Sequence, residues 1–243
     1  MIAGRRVIVV LPAYNAERTL EKTVRAIPPG AADEVILTDD GSRDGTVALA
    51  RSLGLTVLAH DRNRGYGANQ KTCYRRALAD GADVVVMLHP DYQYDPALIP
   101  ALAGAVAQGG ADLALGSRMT DRSALGNGMP SYKYLGNRLL TAWENFCLGQ
   151  SLSEYHTGYR AYSRRLLESL PFDSFSDDFI FDNQMVVAAI EAGFRVAEVP
   201  CPARYEPDSS SIGPVRSIKY GLQVLALAWR HRRRPTGPDR PVK

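Results

Sequence analysis

Asp91 and Gln93 alternate along a short segment after an apolar run, and His89 precedes the aspartate by two residues. A carboxylate, an amide oxygen and an imidazole at that spacing can serve a divalent cation, which for Mg²⁺ takes one or two carboxylates and completes its shell with substrate phosphates. A histidine before proline also serves as a packing residue, so both roles stand open for His89. Asp39 and Asp40 form a second acidic pair just before a Gly-Ser-Arg-Asp-Gly turn. Asp44-Gly45 already supplies that turn and its helix cap. The extra carboxylates can accept hydrogen bonds from base N–H groups or ribose hydroxyls. Asp177, Asp178 and Asp182 make a third acidic group where a helix opens. There a carboxylate acts as a general base or complements the helix N-terminus. Residues 65–72 approach two phosphate-binding motifs and complete neither, because Gln70 stands where both need glycine. They read as a glycine turn opening a helix, whose N-terminal amides can face an anion.

These groups need a frame. Short β-branched runs alternate with amphipathic stretches through the first half, the pattern of βαβ units around a parallel sheet. Strands are expected at residues 7–11, 34–38, 56–59, 84–88 and 113–115. Leu20, Val24 and Ile27 recur at helical spacing, as do Leu49 and Leu53; residues 68–78 read as helix, and Asp95-Pro96 opens a helix to about Gln108. The second half is less regular. It holds a polar loop at 121–131, helices over 132–148, 178–192 and 215–231, and short strands near Arg160 and over 195–199. The fold class is α/β, a Rossmann-like, mostly parallel sheet with flanking helices in a single domain plus a C-terminal helix. Ligands of such sheets bind outside the carboxyl ends of the strands. All five expected ends in the first half are polar: residues 12–15, 39–46, 61–67, 89–93 and 116–118.

With 243 residues, 45% hydrophobic and 23% charged, the chain can bury a real core, which argues against disorder. Cys73, Cys147 and Cys201 are an odd number without paired spacing, so a disulfide framework or zinc ribbon is not expected and a reducing cytoplasm is. No apolar run reaches the roughly 20 residues of a spanning helix, and the N-terminus reads as a strand rather than a signal peptide. The net charge of +3 is uneven: residues 213–243 hold eight Lys/Arg against one Asp, and residues 1–212 hold 21 basic against 25 acidic residues. Basic character confined to one segment, without a zinc-finger or RNA-recognition signature, argues against nucleic acid as a partner.

Taken in order, LPAYNAERTL, DDGSRDGT, NRGYGANQ, HPDYQYDP, GSRM and TGYRAYSR resemble the family-2 inverting glycosyltransferases of the GT-A fold. The similarity covers roughly residues 5–205 and is nearest the branch of dolichyl-phosphate mannose synthase and its soluble bacterial relatives. It implies a UDP- or GDP-linked sugar donor and Mg²⁺ or Mn²⁺. By position, Pro12, Ala13, Tyr14 and Glu17 would border the base, although the family's acidic residue often follows the asparagine directly, where Ala16 stands here. Asp39 and Asp40 would hold base and ribose. Asp91 matches the second aspartate of the family's Asp-x-Asp metal motif, Gln93 matches a further metal-side position, and His89 replaces the first aspartate. Arg118 would face the donor phosphates with Lys71 and Lys133 as further donor-side cations, stabilising the leaving diphosphate. Asp182 is the candidate base toward a hydroxyl acceptor, with Asp178 next and Gln184 where glutamate is common. A phosphate acceptor, already ionised, needs no base. Arg204, Tyr205 and Ser210 would meet the acceptor.

On this reading residues 1–212 form the glycosyltransferase domain, with 1–118 the nucleotide-binding half and 119–212 the acceptor half, and 213–243 a basic amphipathic segment. Ile218, Leu222, Leu225 and Trp229 make one apolar stripe flanked by Arg216, Lys219 and Arg230. Such a helix either packs on the domain or lies at the inner face of an anionic membrane, and the second would suit a polyprenyl-phosphate acceptor. The expected activity is metal-assisted sugar transfer to a polyprenyl phosphate or a hydroxyl. One alternative is a sugar nucleotidyltransferase, whose usual glycine-rich basic loop after the first strand is missing here. Another is a noncatalytic nucleotide-sugar binding protein, which His89 leaves open.

Overall fold

In a computed structural model, which describes residues 1–120, 124, 126, 128–202 and 213–232, the β-branched runs become the strands β1 (Val7–Ala13), β2 (Glu34–Asp39), β3 (Thr56–Ala59), β4 (Val84–Met87), β5 (Leu113–Ser117), β6 (Arg160–Ser163) and β7 (Val196–Pro200). They join one sheet in the order β3-β2-β1-β4-β6-β5-β7. All pairings are parallel except those of β6, which runs antiparallel to both β4 and β5. The helices are α1 (Glu17–Arg25), α2 (Thr46–Ser52), α3 (Tyr66–Ala79), α4 (Ile99–Ala107), α5 (Ser131–Leu148), α6 (Arg164–Ser169), α7 (Phe181–Glu191) and α8 (Pro214–Arg232).

The strands read as continuous apolar runs because both faces of the sheet are covered. Ile8 and Val10 of β1 join one buried cluster with Tyr74 of α3 and Met185 of α7, while Val7, Val9 and Leu11 join another with Leu20 of α1 and Leu102 of α4. Register then places the chemistry. Ala13 pairs with Asp39 and Asp39 with Ala59, so three strand ends lie side by side, and Arg160 stands between Met87 and Leu115.

Some boundaries differ from those the periodicity indicates. β1 and β2 extend to Ala13 and Asp39, so their polar ends begin inside the hydrogen-bonded ladder. Asp95 caps a short 3₁₀ turn that leads into α4, its Oδ1 accepting from Ala97 N at 3.0 Å. The helix expected from Asp178 begins at Phe181. Before it, Ser176 Oγ accepts from Asp178 N and Asp178 Oδ1 accepts from Phe179 N, local side-chain bonds that compete with helix. The short α6, which the periodicity does not indicate, is capped by Ser163, whose Oγ accepts from Leu166 N.

Helix α8 packs on α5 and α7 through buried Val224 and Ala228. Tyr220 Oη meets His156 Nδ1 at 2.9 Å, Lys219 pairs with Asp178 at 2.8 Å, and Trp229 stacks on Trp143. The apolar stripe is not the packing face throughout. Ile218 and Leu222 are exposed, as are Tyr132, Leu135 and Leu139 of α5. No helix among the described residues is long and apolar enough to cross a membrane.

Candidate active site

The ends of β1, β2 and β3 enclose a cleft of about 490 Å³ lined by Tyr14, Asp39, Ser42, Arg43, His60 and Arg62 among others. Asp39 is buried, and its Oδ2 accepts from Gly41 N and Ser42 N at 3.1 and 2.9 Å. Among the described residues its buried Oδ1 has no hydrogen-bond partner, leaving an acceptor at the cleft that an N–H donor would satisfy. Gly41 lies at φ 74°, and a Cβ there would stand 2.7 Å from the Arg62 backbone, so glycine allows the two loops to meet. Tyr14 is exposed at the rim, whereas Pro12 and Ala13 are buried strand residues. Glu17 serves the loop, its Oε2 accepting from Gly45 N at 2.8 Å, and Asn15 Oδ1 accepts from Arg43 N.

Asp40 does not face the cleft as expected. Its Oδ1 accepts from Arg64 N at 2.8 Å, its Oδ2 accepts from Gly65 N at 3.0 Å, and His60 Nδ1 lies 2.7 Å from Oδ1. It pins the turn before α3. The amides of that turn are engaged too: Gly67 N donates to the Asp177 carbonyl at 2.7 Å, and a Cβ on Gly65 would meet the same oxygen at 2.6 Å. These glycines therefore let α3 abut the loop before α7 rather than cradle a phosphate. Lys71 is likewise withdrawn from the donor, its amine held by the Phe175 carbonyl and by Asp177 at 2.7 Å.

Beyond the end of β4 lie His89, Asp91 and Gln93, the residues expected to serve a metal. Asp91 Oδ1 accepts from Gln93 N at 3.0 Å, and Thr19 Oγ1 donates to the Pro90 carbonyl. Tyr66, the first residue of α3, donates its phenolic proton to Asp182 Oδ2 at 2.6 Å and meets His89 Nε2 at 2.9 Å. Burial, and then the Asp182 charge, hold the Tyr66 pKa well above the ordinary phenol value, so the phenol keeps its proton. Asp182 itself is buried, and its Oδ1 accepts from Gln70 Nε2 at 3.0 Å. Asp178 is bound by Lys219, and the hydrogen bonds from Lys219 and Phe179 N hold its pKa below the usual carboxylate range.

Arg118, at the end of β5, is only 12% exposed and lies against fully buried Glu154. Its backbone N and Nε donate to that carboxylate at 2.8 and 2.9 Å, and Nη2 reaches both Glu154 and the His156 carbonyl. Burial alone would raise the Glu154 pKa, but the Arg118 charge and hydrogen bonds outweigh it and leave the carboxyl below the usual range. The charge expected to face phosphates is thus already paired within the chain. Lys133 stands partly exposed in the first turn of α5, and Arg204, Tyr205 and Ser210 lie outside the described residues.

The family model for glycosyl transferase family 2 matches residues 8–170. The chain belongs to this family. Among relatives of this glycosyltransferase, the polyprenol monophosphomannose synthase of Mycolicibacterium smegmatis is 31% identical over 81% of the chain and 76% of the relative. The UDP-N-acetylglucosamine–dolichyl-phosphate N-acetylglucosaminyltransferase of Methanococcus voltae is 24% identical over 92% and 95%. A solved structure of glucosyl-3-phosphoglycerate synthase from Mycobacterium tuberculosis, in complex with Mn²⁺, UDP-glucose and phosphoglyceric acid, superposes with a TM-score of 0.69 at 26% identity, over 96% of this chain and 82% of that one. The same synthase is solved with Mg²⁺ and UDP. The glycosyltransferase sheet described above is the GT-A architecture.

Four polar residues of this glycosyltransferase receive no role from the sequence, although Tyr66 and Gln70 lie in NRGYGANQ and Arg160 in TGYRAYSR. Glu154 and Arg160 are isolated charges in a run of small and aromatic residues, yet both are fully buried. Arg160 donates to the carbonyls of Thr157, Tyr155 and Asp182. Tyr66 and Gln70, four apart on α3, share a helix face, and that spacing is the signal that could have paired them with one partner.

Proposed function

We propose that the chain transfers a sugar, with inversion, from a UDP- or GDP-sugar to a polyprenyl phosphate, assisted by a divalent cation. The observation that carries this reading is the state of the two carboxylates suited to be a base. Both oxygens of Asp182 accept hydrogen bonds in a buried setting, and Asp178 is tied to Lys219 with a depressed pKa. Asp182 is already engaged at both oxygens, and the depressed pKa makes Asp178 a weak base toward a hydroxyl proton. An acceptor phosphate is already an anion there and attacks without a base. The relatives named for polyprenol and dolichyl phosphate point the same way.

Asp39 Oδ1, unpartnered among the described residues, suits a nucleobase N–H, which uracil and guanine both present. Asp91, Gln93 and His89 supply a carboxylate, an amide and an imidazole for a cation whose remaining ligands are the donor's phosphates, a set that fits Mg²⁺ or Mn²⁺ chemistry. When bound, the cation neutralises charge building on the diphosphate as the anomeric bond breaks. The outward apolar residues of α5 and α8, with Arg138, Arg216 and Arg230 exposed on the same helices, suit peripheral contact with an anionic bilayer where such an acceptor resides. Nucleotide release from UDP- and GDP-sugars tests the reading. Release should require polyprenyl phosphate and metal and be lost in Asp91→Ala. Release driven by hydroxyl acceptors alone would restore the need for a base, and tight nucleotide binding without release would favour a noncatalytic binding protein.

A further inference from the structure

We propose that Lys219, with Arg216 beside it, takes the phosphate of the acceptor, and that Asp178 occupies this position until the acceptor arrives. This rests on the reading of a polyprenyl-phosphate acceptor above and names where on this chain its head is held. An incoming phosphate needs a cation that can release its present partner. Arg118 is 12% exposed against Glu154, which has no exposure, and Lys71 is 6% exposed with its amine also on the Phe175 carbonyl. Withdrawing either from its carboxylate leaves a buried charge uncompensated. Lys219 and Asp178 meet at 2.8 Å with side chains 61% and 43% exposed. An exposed ion pair adds little stability, so its exchange costs little. A phosphate monoester near pH 7 carries more charge than a carboxylate and offers three strong acceptor oxygens, so it displaces Asp178 from Lys219. Arg216 supplies a second charge at the same place, since it too helps lower the Asp178 pKa, after Lys219 and the Phe179 amide.

The surroundings suit a phosphate carried on an isoprenoid chain. At 3.6 residues per turn, the order round α8 is Tyr220, Arg216, Lys219, Leu222, Ile218. Tyr220 turns inward to His156 Nδ1, at 2.9 Å, while Ile218 and Leu222 are 67% and 63% exposed. Lys219 therefore stands between the contact with the domain and an open apolar stripe, the arrangement that an anionic head on an apolar tail requires. The start of α8 also reaches the rim of the sheet along two routes. Phe179, next to Asp178, packs on Tyr66 at 4.9 Å between centroids, and Tyr66 stacks on His89 at 5.5 Å. His156 is two residues from Gly158, where a Cβ would stand 2.7 Å from the His89 ring. Both routes end two residues before Asp91, so the acceptor's head is held on the flank of the segment that serves the donor's diphosphate on the reading above.

Steady-state transfer by the full chain, with donor, Mn²⁺ and phosphatidylglycerol vesicles carrying polyprenyl phosphate, decides the matter. Asp178→Asn should lower the KM for polyprenyl phosphate by up to about 5-fold, the size of an exposed ion pair. Lys219→Met/Asp178→Asn removes both charges of the pair, so general attraction to the bilayer stays as in wild type. Its acceptor KM should nonetheless rise about 10-fold or more above wild type, with the donor KM unchanged. Lys219→Arg should keep the acceptor KM near wild type, and Arg216→Ala should raise it less than the double variant does. A wild-type acceptor KM in the double variant overturns the assignment to Lys219. So does a rise matched by lost flotation on phosphatidylglycerol vesicles free of polyprenyl phosphate, the mark of a general membrane contact. Inorganic phosphate shares the head without the tail, and competition by it at the acceptor's own KM would make this a free-phosphate site and overturn the lipid assignment. If wild type forms no lipid product from any donor it binds, the acceptor reading fails and this inference with it.

Discussion

Replacing Glu154 by glutamine keeps the side-chain volume and removes one buried charge. The carboxylate has no solvent exposure and accepts from Arg118 N at 2.8 Å, Arg118 Nε at 2.9 Å, Arg118 Nη2 and Asn137 Nδ2 at 2.7 Å. In Glu154→Gln an amide NH₂ turns toward those donors, and Arg118 stays charged at 12% exposure. Breaking a buried pair from one side costs about 3–5 kcal/mol. At roughly 2–4 °C per kcal/mol for a chain of this size, the Tm at pH 7 should fall by about 6–20 °C. Calorimetry or a thermal-shift scan reads this directly. The pH dependence has a definite sign. Because the folded pKa of Glu154 is depressed, its contribution is fully present above the ordinary value of 4.5 and is lost as pH falls through the lower folded value. The gap between wild type and variant should therefore close in acid. Adding Arg118→Met should recover part of the loss, since both partners then leave together. A Tm at pH 7 within about 2 °C of wild type, less than 1 kcal/mol on this scale, would refute the reasoning.

Other expectations follow from the same geometry. Asp39→Asn should weaken UDP and GDP binding by roughly 10-fold or more, since hydrogen bonds to charged groups contribute about 1.5–3 kcal/mol; calorimetric Kd values equal to wild type would contradict that. Lys219→Ala removes the first cause of the depressed Asp178 pKa, so an NMR titration should place that carboxyl closer to the ordinary aspartate value of 3.8, and an unmoved titration would argue against the pairing. Leu139 and Leu222 are each 63% exposed, and Leu139→Glu/Leu222→Glu should reduce flotation with anionic vesicles while leaving the Tm nearly unchanged. Equal flotation of the two proteins would exclude this face as the membrane contact.

Much of the fold is legible because β4 and its neighbours are covered on both faces, so Val84, Val85, Val86 and Met87 read as one unbroken apolar run. The antiparallel course of β6 is not, since four residues ending in Ser163 carry no sign of direction. At the site, Asp39 is legible as an acceptor because it ends a strand beside a tight turn. Asp40 looks equivalent in sequence, but it lies just past the end of β2 and its carboxylate goes to Arg64 and Gly65 instead. The His89–Tyr66–Asp182 chain joins residues 116 apart between Tyr66 and Asp182 and is set by α3 meeting α7, a contact that no local spacing reports. The stripe of α8 shows the limit of periodicity: it finds an amphipathic helix without saying which neighbour covers it.

Inverting transfer to a phosphate acceptor would proceed without a protein base. The most direct measurement incubates wild type and Asp178→Asn with UDP- and GDP-sugars, Mn²⁺ and vesicles containing polyprenyl phosphate, then reads the lipid extract by mass spectrometry and NMR. The expected product is a polyprenyl-phosphate sugar whose anomeric configuration is inverted from the donor's, formed by both proteins. A retained configuration, loss of the product in Asp178→Asn, or no lipid product from any donor that binds would contradict it.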